Sequence, residues 1–545
     1  MSVMGCMDTL TPLASGVTVS PEQVLYESLG SVLVLGDDAS VGEVAEIVAQ
    51  HRRTVVFAPG IEARAFGSHV TAVGRQVTAV RGHLGSFQAE VRSADGASDI
   101  GAASPNSSRL FDIVLDLGLQ PLLTSAVTPP GYFAPGQDAK ARAAAIESVL
   151  GLVGRFTKPR YFSYQSDLCA HSASGVPGCT RCLGVCSAQA IVSTGATIQV
   201  DPHLCQGCAT CTLACPTGAL SFRFPSRAVL GQRLQQALSE CGAVKVALIV
   251  HSGVLDVEVQ LAISKHGALS MLVDPLPAFG EELWLRALAL GAETLVLVDD
   301  GVMSQQSRLM ITSRVAQMHA LLPALGIARK RLAWLTTAEL RGWLEARSLE
   351  KDAAPTELSP RTSAAVGGPA PAEPVSANSW VRYKRLAWLD GLRLLAIGGP
   401  TDTNVELPVG AAFGEVRVNR QRCTLCFACT NLCPTSALKA NNANTQQLIF
   451  REGACVQCGL CVQGCPEKAL SLHARFATQA LARKTSVVLH QDEQILCKSC
   501  GTPFISRRLL ASSLERLKDH PVMAQGGREA LMTCPACRQR EMLQP

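Results

Sequence analysis

The apolar residues in the first part of the chain follow two patterns, helical spacing in some segments and short uninterrupted runs in others. The segment 41–52 has apolar residues at helical spacing: Val41, Val44, Ile47 and Val48. Short uninterrupted apolar runs are typical of strands that are buried on both faces. Strands that alternate with helices predict a parallel sheet. The predicted strands are 31–36, 54–58, 111–115, 245–250, 269–273 and 294–298, and a further helix is predicted over 281–290.

Two polar features of this pattern are candidate functional sites. Asp37 follows the first strand, but the turn lacks the G-x-G-x-x-G spacing of a dinucleotide site, so it predicts a strand-to-helix connection. Glu281 and Glu282 begin a predicted helix, and we expect both carboxylates in solvent. The pattern leaves open whether residues 226–350 complete the sheet that residues 1–160 begin.

Composition and charge narrow the class of protein. Hydrophobic residues make up 47% of the chain, yet the apolar runs are strand-sized, far below the roughly 20 residues that span a bilayer. The net charge of +5, from 49 basic and 44 acidic residues, comes without a basic stripe interleaved with aromatics, which predicts no nucleic-acid partner. The N-terminus has no secretory signal pattern, so we expect a cytoplasmic protein without a transmembrane segment.

Sixteen of the 22 cysteines fall into four quartets. Three quartets have the spacing C-x2-C-x2-C-x3-C followed by proline, which is the bacterial ferredoxin spacing for [4Fe–4S] clusters. The fourth is a distorted copy. In chain order the quartets are Cys169, Cys179, Cys182 and Cys186; Cys205, Cys208, Cys211 and Cys215; Cys423, Cys426, Cys429 and Cys433; and Cys455, Cys458, Cys461 and Cys465.

In this motif three cysteines bind one cluster and the fourth binds the neighbouring cluster, so the quartets work in pairs. The crossing predicts four ligand sets: Cys205, Cys208, Cys211 and Cys186; Cys169, Cys179, Cys182 and Cys215; Cys433, Cys455, Cys458 and Cys461; and Cys423, Cys426, Cys429 and Cys465. Each quartet ends in a similar segment, with alanine and then an aliphatic residue: 186–191, 215–220, 433–438 and 465–470. Strand-like runs at 197–200 and 447–450 precede the second quartet of each pair, as in a two-cluster ferredoxin.

The first quartet departs from the pattern in two ways. Nine residues separate Cys169 from Cys179, and Ser187 stands where proline would follow. The insertion is rich in small residues, so we expect it to be flexible enough to bring Cys169 to the cluster. His171 lies in this insertion, as an ordinary loop histidine, an alternative ligand, or a hydrogen-bond donor that raises the cluster potential.

Four further cysteines form two C-x2-C knuckles near the C-terminus: Cys497, Cys500, Cys534 and Cys537. Four thiolates suit a tetrahedral structural zinc ion, although a rubredoxin-like iron or an additional cluster remains open. Clustered cysteines in a long chain indicate metal binding in a reducing compartment rather than disulfides.

The predicted fold class is α/β plus α+β, with Rossmann-like parallel-sheet segments, two bacterial-type two-cluster ferredoxin modules and a zinc-ribbon-like tail. A segment rich in Ala, Pro, Ser and Gly is expected to link the modules and let them move relative to each other. The predicted divisions are an α/β domain at 1–160, the first module at 161–225, a second α/β segment at 226–350, the linker at 351–380, the second module at 381–475 and the tail at 476–545.

Over almost its whole length except the linker, the chain resembles the large multi-cluster ferredoxin-like proteins found in proteobacteria alongside formate dehydrogenase components. The segments that carry the resemblance are 111–117, 130–134, 171–182, 454–461 and 500–504. The resemblance implies intracellular electron transfer to or from the soluble partners of a molybdenum or tungsten enzyme. It also implies that Cys169 completes the first quartet, because the distorted spacing of this quartet is usual in the family.

Three functions compete at this stage. The leading hypothesis is a soluble electron-transfer protein that carries four [4Fe–4S] clusters and exchanges electrons with a larger oxidoreductase such as formate dehydrogenase. The second is an oxidoreductase subunit with a flavin or nucleotide site in its α/β domain. The third is an assembly or docking factor for a metalloenzyme. No phosphate-binding loop, zinc-protease motif or nucleophile triad is found, so no catalytic residue is predicted.

Overall fold

The computed structural model divides the chain into two α/β units, two cysteine-rich modules and a C-terminal tail. It describes residues 22–62, 70–93, 96–241, 246–253, 255–353, 384–395, 404–441, 445–479, 483–521 and 523–543. The predicted linker lies almost wholly outside these ranges. Within them, no helix is both long and apolar enough to cross a membrane.

A five-stranded parallel sheet forms the centre of the N-terminal α/β unit. The described strands of this unit are β1 (Gln23–Ser28), β2 (Val32–Leu35), β3 (Thr54–Phe57), β4 (Val70–Val73), β5 (Val77–Arg81), β6 (Gln88–Ser93), β7 (Gly96–Asp99), β8 (Ile113–Asp116), β9 (Tyr132–Phe133) and β10 (Gly154–Pro159). The parallel sheet has the order β4-β3-β2-β8-β9, and β1 pairs with β10 in a separate ribbon. The predicted strands at 31–36, 54–58 and 111–115 are confirmed.

The parallel sheet is buried because both of its faces are covered. Helices α1 (Val41–Ala49) and α2 (Ala139–Gly151) pack on one face. The antiparallel sheet β5-β6-β7, which the sequence pattern did not predict, packs on the other face. Every residue of β2, β3 and β8 is therefore buried, as their continuous apolar runs require.

The first cysteine-rich module consists of short antiparallel pairs around one small helix. Its elements are β11 (Phe162–Tyr164), β12 (Ser172–Ala173), β13 (Val176–Pro177), β14 (Ile191–Ser193), β15 (Ile198–Val200), α3 (Thr210–Ala214) and β16 (Leu220–Phe222). The pairs are β11 with β16, β12 with β13, and β14 with β15. The strand predicted at 197–200 corresponds to β15.

The second α/β unit has its own four-stranded parallel sheet. Its elements are α4 (Arg227–Glu240), β17 (Ala247–His251), α5 (Val257–Lys265), β18 (Leu269–Leu272), α6 (Glu281–Ala289), β19 (Thr294–Asp299), α7 (Gln305–Leu321), β20 (Leu332–Thr336) and α8 (Thr337–Ala353). The strand order is β18-β17-β19-β20. This sheet is separate from the five-stranded sheet, so the possibility that the two segments complete a single sheet is wrong.

The second module and the tail share a boundary that differs from the prediction. The remaining elements are α9 (Lys384–Leu395), β21 (Asn404–Glu406), β22 (Gly414–Val418), α10 (Ala428–Asn431), β23 (Leu438–Asn441), β24 (Gln446–Phe450), α11 (Leu460–Gln463), β25 (Leu470–Ala477), β26 (Val487–Asp492), β27 (Gln494–Leu496), β28 (Pro503–Ser506), α12 (Arg507–Leu517), α13 (Arg528–Leu531) and α14 (Pro535–Leu543). Strand β26 pairs with β24, so residues assigned to the tail complete the sheet of the second module.

Helix α9 joins three parts of the molecule. The Lys384 ammonium donates to the carbonyl oxygens of Thr212 and Leu213 in the first module, at 2.9 and 2.8 Å. The next residue, Arg385, donates to the Cys455 carbonyl oxygen in the second module, at 2.6 Å. Farther along α9, a Cβ atom at Gly391 would lie 2.8 Å from the Leu285 Cβ atom, so only glycine permits this close approach to α6.

These contacts hold the two modules against each other. The Arg181 guanidinium of the first module donates to the carbonyl oxygens of Ala411 and Gln457, at 3.1 and 3.3 Å. A Cβ atom at Gly178 would lie 2.6 Å from the Leu460 side chain of the second module. The modules are therefore packed together, which differs from the relative movement expected from the linker.

The expectation that Glu281 and Glu282 begin α6 in solvent is wrong. Both are buried, at 6% and 5% exposure. Glu281 lies 3.2 Å from the Arg314 guanidinium and 4.0 Å from the Lys384 ammonium, and Glu282 lies 2.9 Å from Arg227. The sequence pattern missed the burial because the three cations come from distant elements.

We predict that Glu281→Ala destabilises the second α/β unit, because it leaves the buried Arg314 and Lys384 charges without their carboxylate. Removing one partner of a buried pair costs about 3–5 kcal/mol. Thermal unfolding followed by tryptophan fluorescence should show a clear loss, since Trp284 is buried in the same helix. Glu345→Ala is the control, because the exposed Glu345–Arg341 pair contributes little. Equal melting temperatures for the two variants would contradict the prediction.

Candidate metal centres

The cysteine loops are built on left-handed backbone. Nine described non-glycine residues have positive φ, between 46° and 61°, and eight of them lie in the two modules. Residues with a Cβ atom rarely adopt this conformation, so the surrounding structure must impose it. Residues Leu425 and Phe427 flank Cys426, with φ angles of 58° and 59°, so the chain turns sharply on both sides of this cysteine.

The segment shared by all four quartet ends has a specific geometry. The third residue after the last cysteine has positive φ in each copy: Gln189, Gly218, Ser436 and Lys468. In three copies the following alanine N–H then donates to the cysteine sulfur, at 3.2 to 3.3 Å: Ala190 to Cys186, Ala437 to Cys433, and Ala469 to Cys465. In the fourth copy the Ala219 N–H donates to the Thr217 hydroxyl instead. The repeated alanine thus marks a backbone N–H turned toward sulfur.

The thiols of the first predicted ligand set surround a common cavity. An apolar cavity is lined by Cys186, Cys205, Cys208 and Cys211. Burial raises the pKa of the Cys211 thiol well above its usual value. The thiols that raise it further include the other three of the set, Cys208, Cys205 and Cys186. The crossing of Cys186 from the first quartet to the second therefore agrees with the positions of the side chains.

The second predicted set is also gathered together, including the cysteine before the insertion. Burial raises the pKa of the Cys182 thiol to about 12. The neighbouring thiols that contribute to this rise are Cys215, Cys179 and Cys169. These are the other members of the predicted set, so the insertion leaves Cys169 near the other three thiols.

The same arrangement recurs twice in the second module. Burial raises the pKa of the Cys429 thiol to about 12, with contributions from Cys426, Cys423 and Cys465. Burial also raises the pKa of the Cys461 thiol. The neighbours that contribute there are Cys455, Cys458, Cys429 and Cys433. Both predicted sets of this module are therefore brought together.

Each predicted set of four neighbouring thiols is suited by its charge to bind iron ions. Several thiolates in one buried group repel each other, and burial disfavours each charge, which is why these pKa values rise. Iron ions supply the compensating positive charge, because the thiolate is the form that binds metal. The donor sets and the cavity lined by Cys186, Cys205, Cys208 and Cys211 therefore suit iron–sulfur clusters.

The insertion in the first quartet is a tight hairpin rather than the flexible loop we expected. Strands β12 and β13 are joined by Ser174 and Gly175, whose φ angles of 50° and 77° are typical of a type I′ turn. The His171 Nδ1 atom lies 3.0 Å from the Cys179 carbonyl oxygen, and Nε2 lies 2.8 Å from the Ser193 hydroxyl. Both ring nitrogens are engaged, so His171 fastens the hairpin and is not placed as a ligand.

Positive side chains lie beside the cysteine loops. The Lys158 ammonium donates to the carbonyl oxygens of His203 and Cys205, at 2.6 and 2.8 Å. Burial lowers the pKa of Lys158 to about 8 and the pKa of Arg385 to about 9. The negative charge of a cysteine thiolate opposes each of these shifts. This cysteine is Cys205 for Lys158 and Cys455 for Arg385. Sequence reasoning missed both cations, because nothing in their spacing links them to cysteines.

A chain of hydroxyl groups connects the second α/β unit to Cys208. The Ser304 and Ser307 hydroxyls lie 2.9 Å apart at the start of α7. The Ser307 hydroxyl lies 2.6 Å from the Thr210 hydroxyl, which donates to the Cys208 sulfur at 3.4 Å. Hydrogen bonds to sulfur are one of the means by which proteins tune cluster potentials.

The carboxylates at the ends of the parallel strands form hydrogen bonds or ion pairs within the protein. Asp37 accepts the Leu119 N–H at 2.6 Å. At the end of β19, Asp299 pairs with Arg308, and Ser252 donates to Asp300 at 2.8 Å. These groups bond within the protein and give no specific support to a nucleotide or flavin site.

The four tail cysteines form one compact group. Their sulfur atoms all lie within 4.8 Å of one another, and the Cys500 and Cys534 sulfurs are 3.8 Å apart. Sulfurs at 2.3 Å from a central zinc ion in a tetrahedron would be about 3.8 Å apart. The Cys534 N–H donates to the Cys497 sulfur at 3.2 Å and is the largest of several hydrogen bonds that lower the pKa of that thiol to about 6. The group is therefore suited to bind a metal ion.

Comparison with known protein families supports the two cysteine-rich modules. A model described as a 4Fe-4S dicluster domain matches residues 422–470, and a model described as a 4Fe-4S binding domain matches residues 197–220. A search of characterised proteins found no match to the chain. The chain thus contains two 4Fe-4S ferredoxin-type domains, whereas the association with formate dehydrogenase stays a prediction.

We predict that Cys169→Ala removes one cluster from the first module. About 4 of about 16 iron atoms per chain should be lost after anaerobic reconstitution, because the set of four thiolates becomes incomplete. His171→Ala should retain the iron, since both nitrogens of His171 are hydrogen-bonded elsewhere. Cys241→Ala, outside the quartets, is the control. Unchanged iron in Cys169→Ala would show that this cysteine is not a ligand.

We also predict that the tail metal can be removed separately. Truncation after Glu493 deletes the four knuckle cysteines but keeps β26, which the sheet of the second module requires. Metal analysis should show the loss of about one zinc ion per chain and the retention of the iron. Truncation after Lys484 is the comparison and should also perturb the second module. Loss of iron in the longer variant would contradict separate sites.

Proposed function

We propose that this protein is an electron carrier with four [4Fe–4S] clusters. The carrying observation is the gathering of sixteen cysteines into the four crossed sets, together with the two 4Fe-4S domain matches. A bound cluster of this type accepts and donates one electron. The chain's own part is to hold the thiolates, exclude water from them and place compensating charge beside them.

The four sets form a linear order in this proposal. The contact between the modules supports it, because the Cys179 thiol of one module contributes to the raised pKa of the Cys458 thiol of the other. The partly buried Arg181 lies between them and interacts with Cys179 and Cys458. The two inner sets therefore meet at Arg181, and the outer sets contain Cys205 and Cys423. Electron transfer between the two inner sets is expected to be faster when the modules are packed together than when they move on a tether.

The tail has a structural role in this proposal. The four tail cysteines would hold zinc in a zinc-ribbon-like unit. The Ser506 hydroxyl donates to the Thr424 carbonyl oxygen at 2.7 Å, within the Cys423 loop. A metal ion in the tail would thus stabilise the segment that packs beside one outer ligand set.

The partner in this proposal is a larger oxidoreductase, with components of a formate dehydrogenase as the candidate from the sequence resemblance. The protein itself would not turn over substrate. An enzyme subunit with a flavin and an assembly factor for a metalloenzyme are the alternatives, and the following experiment separates them.

The test is anaerobic purification followed by metal analysis and stopped-flow spectroscopy. We expect about 16 iron and about 16 sulfide per chain, reversible bleaching by one-electron reductants, and no turnover of formate or nicotinamide by the protein alone. Reduced protein should be reoxidised by a formate dehydrogenase system faster than by an unrelated oxidoreductase. Stoichiometric flavin with steady turnover would establish the enzyme alternative. Binding to an apo-enzyme but not to the mature enzyme would establish the assembly alternative.

A further inference from the structure

One end of the proposed four-cluster path is open to solvent. Cys426 is the one exposed thiol among the sixteen predicted cluster ligands, all of which lie in the described ranges. It belongs to the outer set of the second module, with Cys423, Cys429 and Cys465. An electron carrier must bring one centre close to its partner, so the exposure of Cys426 distinguishes this end of the molecule.

The opposite end is covered by the two α/β units. The Lys158 ammonium from β10 donates to the Cys205 carbonyl oxygen at 2.8 Å. The Ser187 hydroxyl, next to Cys186, donates to the Ser304 hydroxyl at 2.9 Å. The outer set that contains Cys205 is therefore flanked by protein on two sides, whereas Cys426 is exposed in the part of the chain that the structure describes, although the tail contacts the neighbouring Thr424.

Exposed basic side chains lie on the segments that carry this outer set or contact them. We define the Cys426 face as Cys426 with the exposed side chains Arg420, Arg422, Lys468 and Arg508. Arg420 and Arg422 precede the loop, and the Lys468 N–H donates to the Cys465 carbonyl oxygen at 3.0 Å.

Arg508 reaches the same loop from the tail, where its guanidinium donates to the Arg420 carbonyl oxygen at 2.6 Å. The positive charge of Arg508 also opposes the rise in the pKa of the Cys423 thiol that burial causes.

The nearby carboxylates offset only part of this charge. Glu467 pairs with Arg516 at 2.6 Å, whereas Asp492 accepts the Arg508 backbone N–H at 2.9 Å and keeps its negative charge beside the face. The four cations outnumber this carboxylate, so the Cys426 face carries a net positive charge. Such a charge steers association toward a partner of opposite charge.

We propose that the Cys426 face is the docking surface for a redox partner that presents an acidic surface around its own cofactor. This inference rests on the proposed electron-carrier function and adds the site and the charge of the partner. The tail contributes Arg508 and so forms part of the docking surface as well as a structural support.

The test compares two one-electron proteins of opposite charge. Flavodoxin is an acidic probe, and cytochrome c is a basic one. Reduced holoprotein is mixed anaerobically with each, and cluster reoxidation is followed by stopped flow from about 10 mM to about 100 mM salt, over which the Debye length falls from about 30 Å to about 10 Å. We expect the rate with flavodoxin to fall with salt, and the rate with cytochrome c to fall less or to rise.

The variant is Arg422→Glu combined with Lys468→Glu, which reverses two charges of the face and changes no ligand. At low salt the rate with flavodoxin should fall at least about tenfold, and the rate with cytochrome c should rise. The matched control is Arg75→Glu combined with Lys140→Glu, two exposed positions of the N-terminal unit that should leave both rates unchanged. Iron content is measured for every variant to establish that the clusters are intact.

The outcomes separate this inference from the carrier function. Equal exchange with both probes in the wild type and both variants, with full iron content, would overturn the docking surface and leave the carrier function standing. Full iron content without exchange with any probe would overturn the carrier function, and the docking surface with it. Equal losses in the two variants would show an effect of total charge, and binding of a DNA duplex lost only in the first variant would show a nucleic-acid face. Each of these last two results also overturns the docking surface.

Discussion

The architecture depends on the compensation of negative charge that is held out of water. Each of the four predicted cluster sets contains a thiol whose pKa is raised, because burial and mutual repulsion disfavour the thiolate. The protein answers with cations that would themselves be costly to bury, among them Lys158, Arg181 and Arg385. Each of these three donates to backbone carbonyl groups of the cysteine modules. Burial disfavours both the thiolates and the cations, so the contacts between them link the two modules to each other and to the N-terminal α/β unit.

Both α/β units contact the first module. Lys158 of the N-terminal unit donates to the Cys205 carbonyl oxygen, and the Ser307 hydroxyl of the second unit lies 2.6 Å from the Thr210 hydroxyl. The central strands of the two sheets are buried along their whole length: β2, β3, β8, β17 and β19. At the strand ends that often hold a nucleotide in α/β proteins, Asp37 and Asp299 are bonded within the chain. The hydroxyls of Ser304, Ser307 and Thr210 show how the second unit reaches the sulfur of Cys208.

The sequence predicted the local features well because these depend on short-range chemistry. The strands around Val34 and Val296 follow from apolar runs, and the crossed cysteine sets agree with the neighbours of Cys182 and Cys211. It failed where burial depends on residues far apart in the chain. Glu281 reads as a solvated helix start until Arg314 and Lys384 are brought to it, and β26 reads as part of the tail until it pairs with β24. The separate sheets and the packed modules were beyond the local pattern for the same reason.

The neighbouring positions of Lys384 and Arg385 couple the docking of α9 to the charge of a cysteine. One side chain enters the first module and the other enters the second, and each loses water when α9 docks. The Cys455 thiolate opposes the lowering of the Arg385 pKa that burial causes. A charged Cys455 therefore favours the docked position of α9, whereas a neutral thiol leaves more of the cost of burying Arg385 uncompensated.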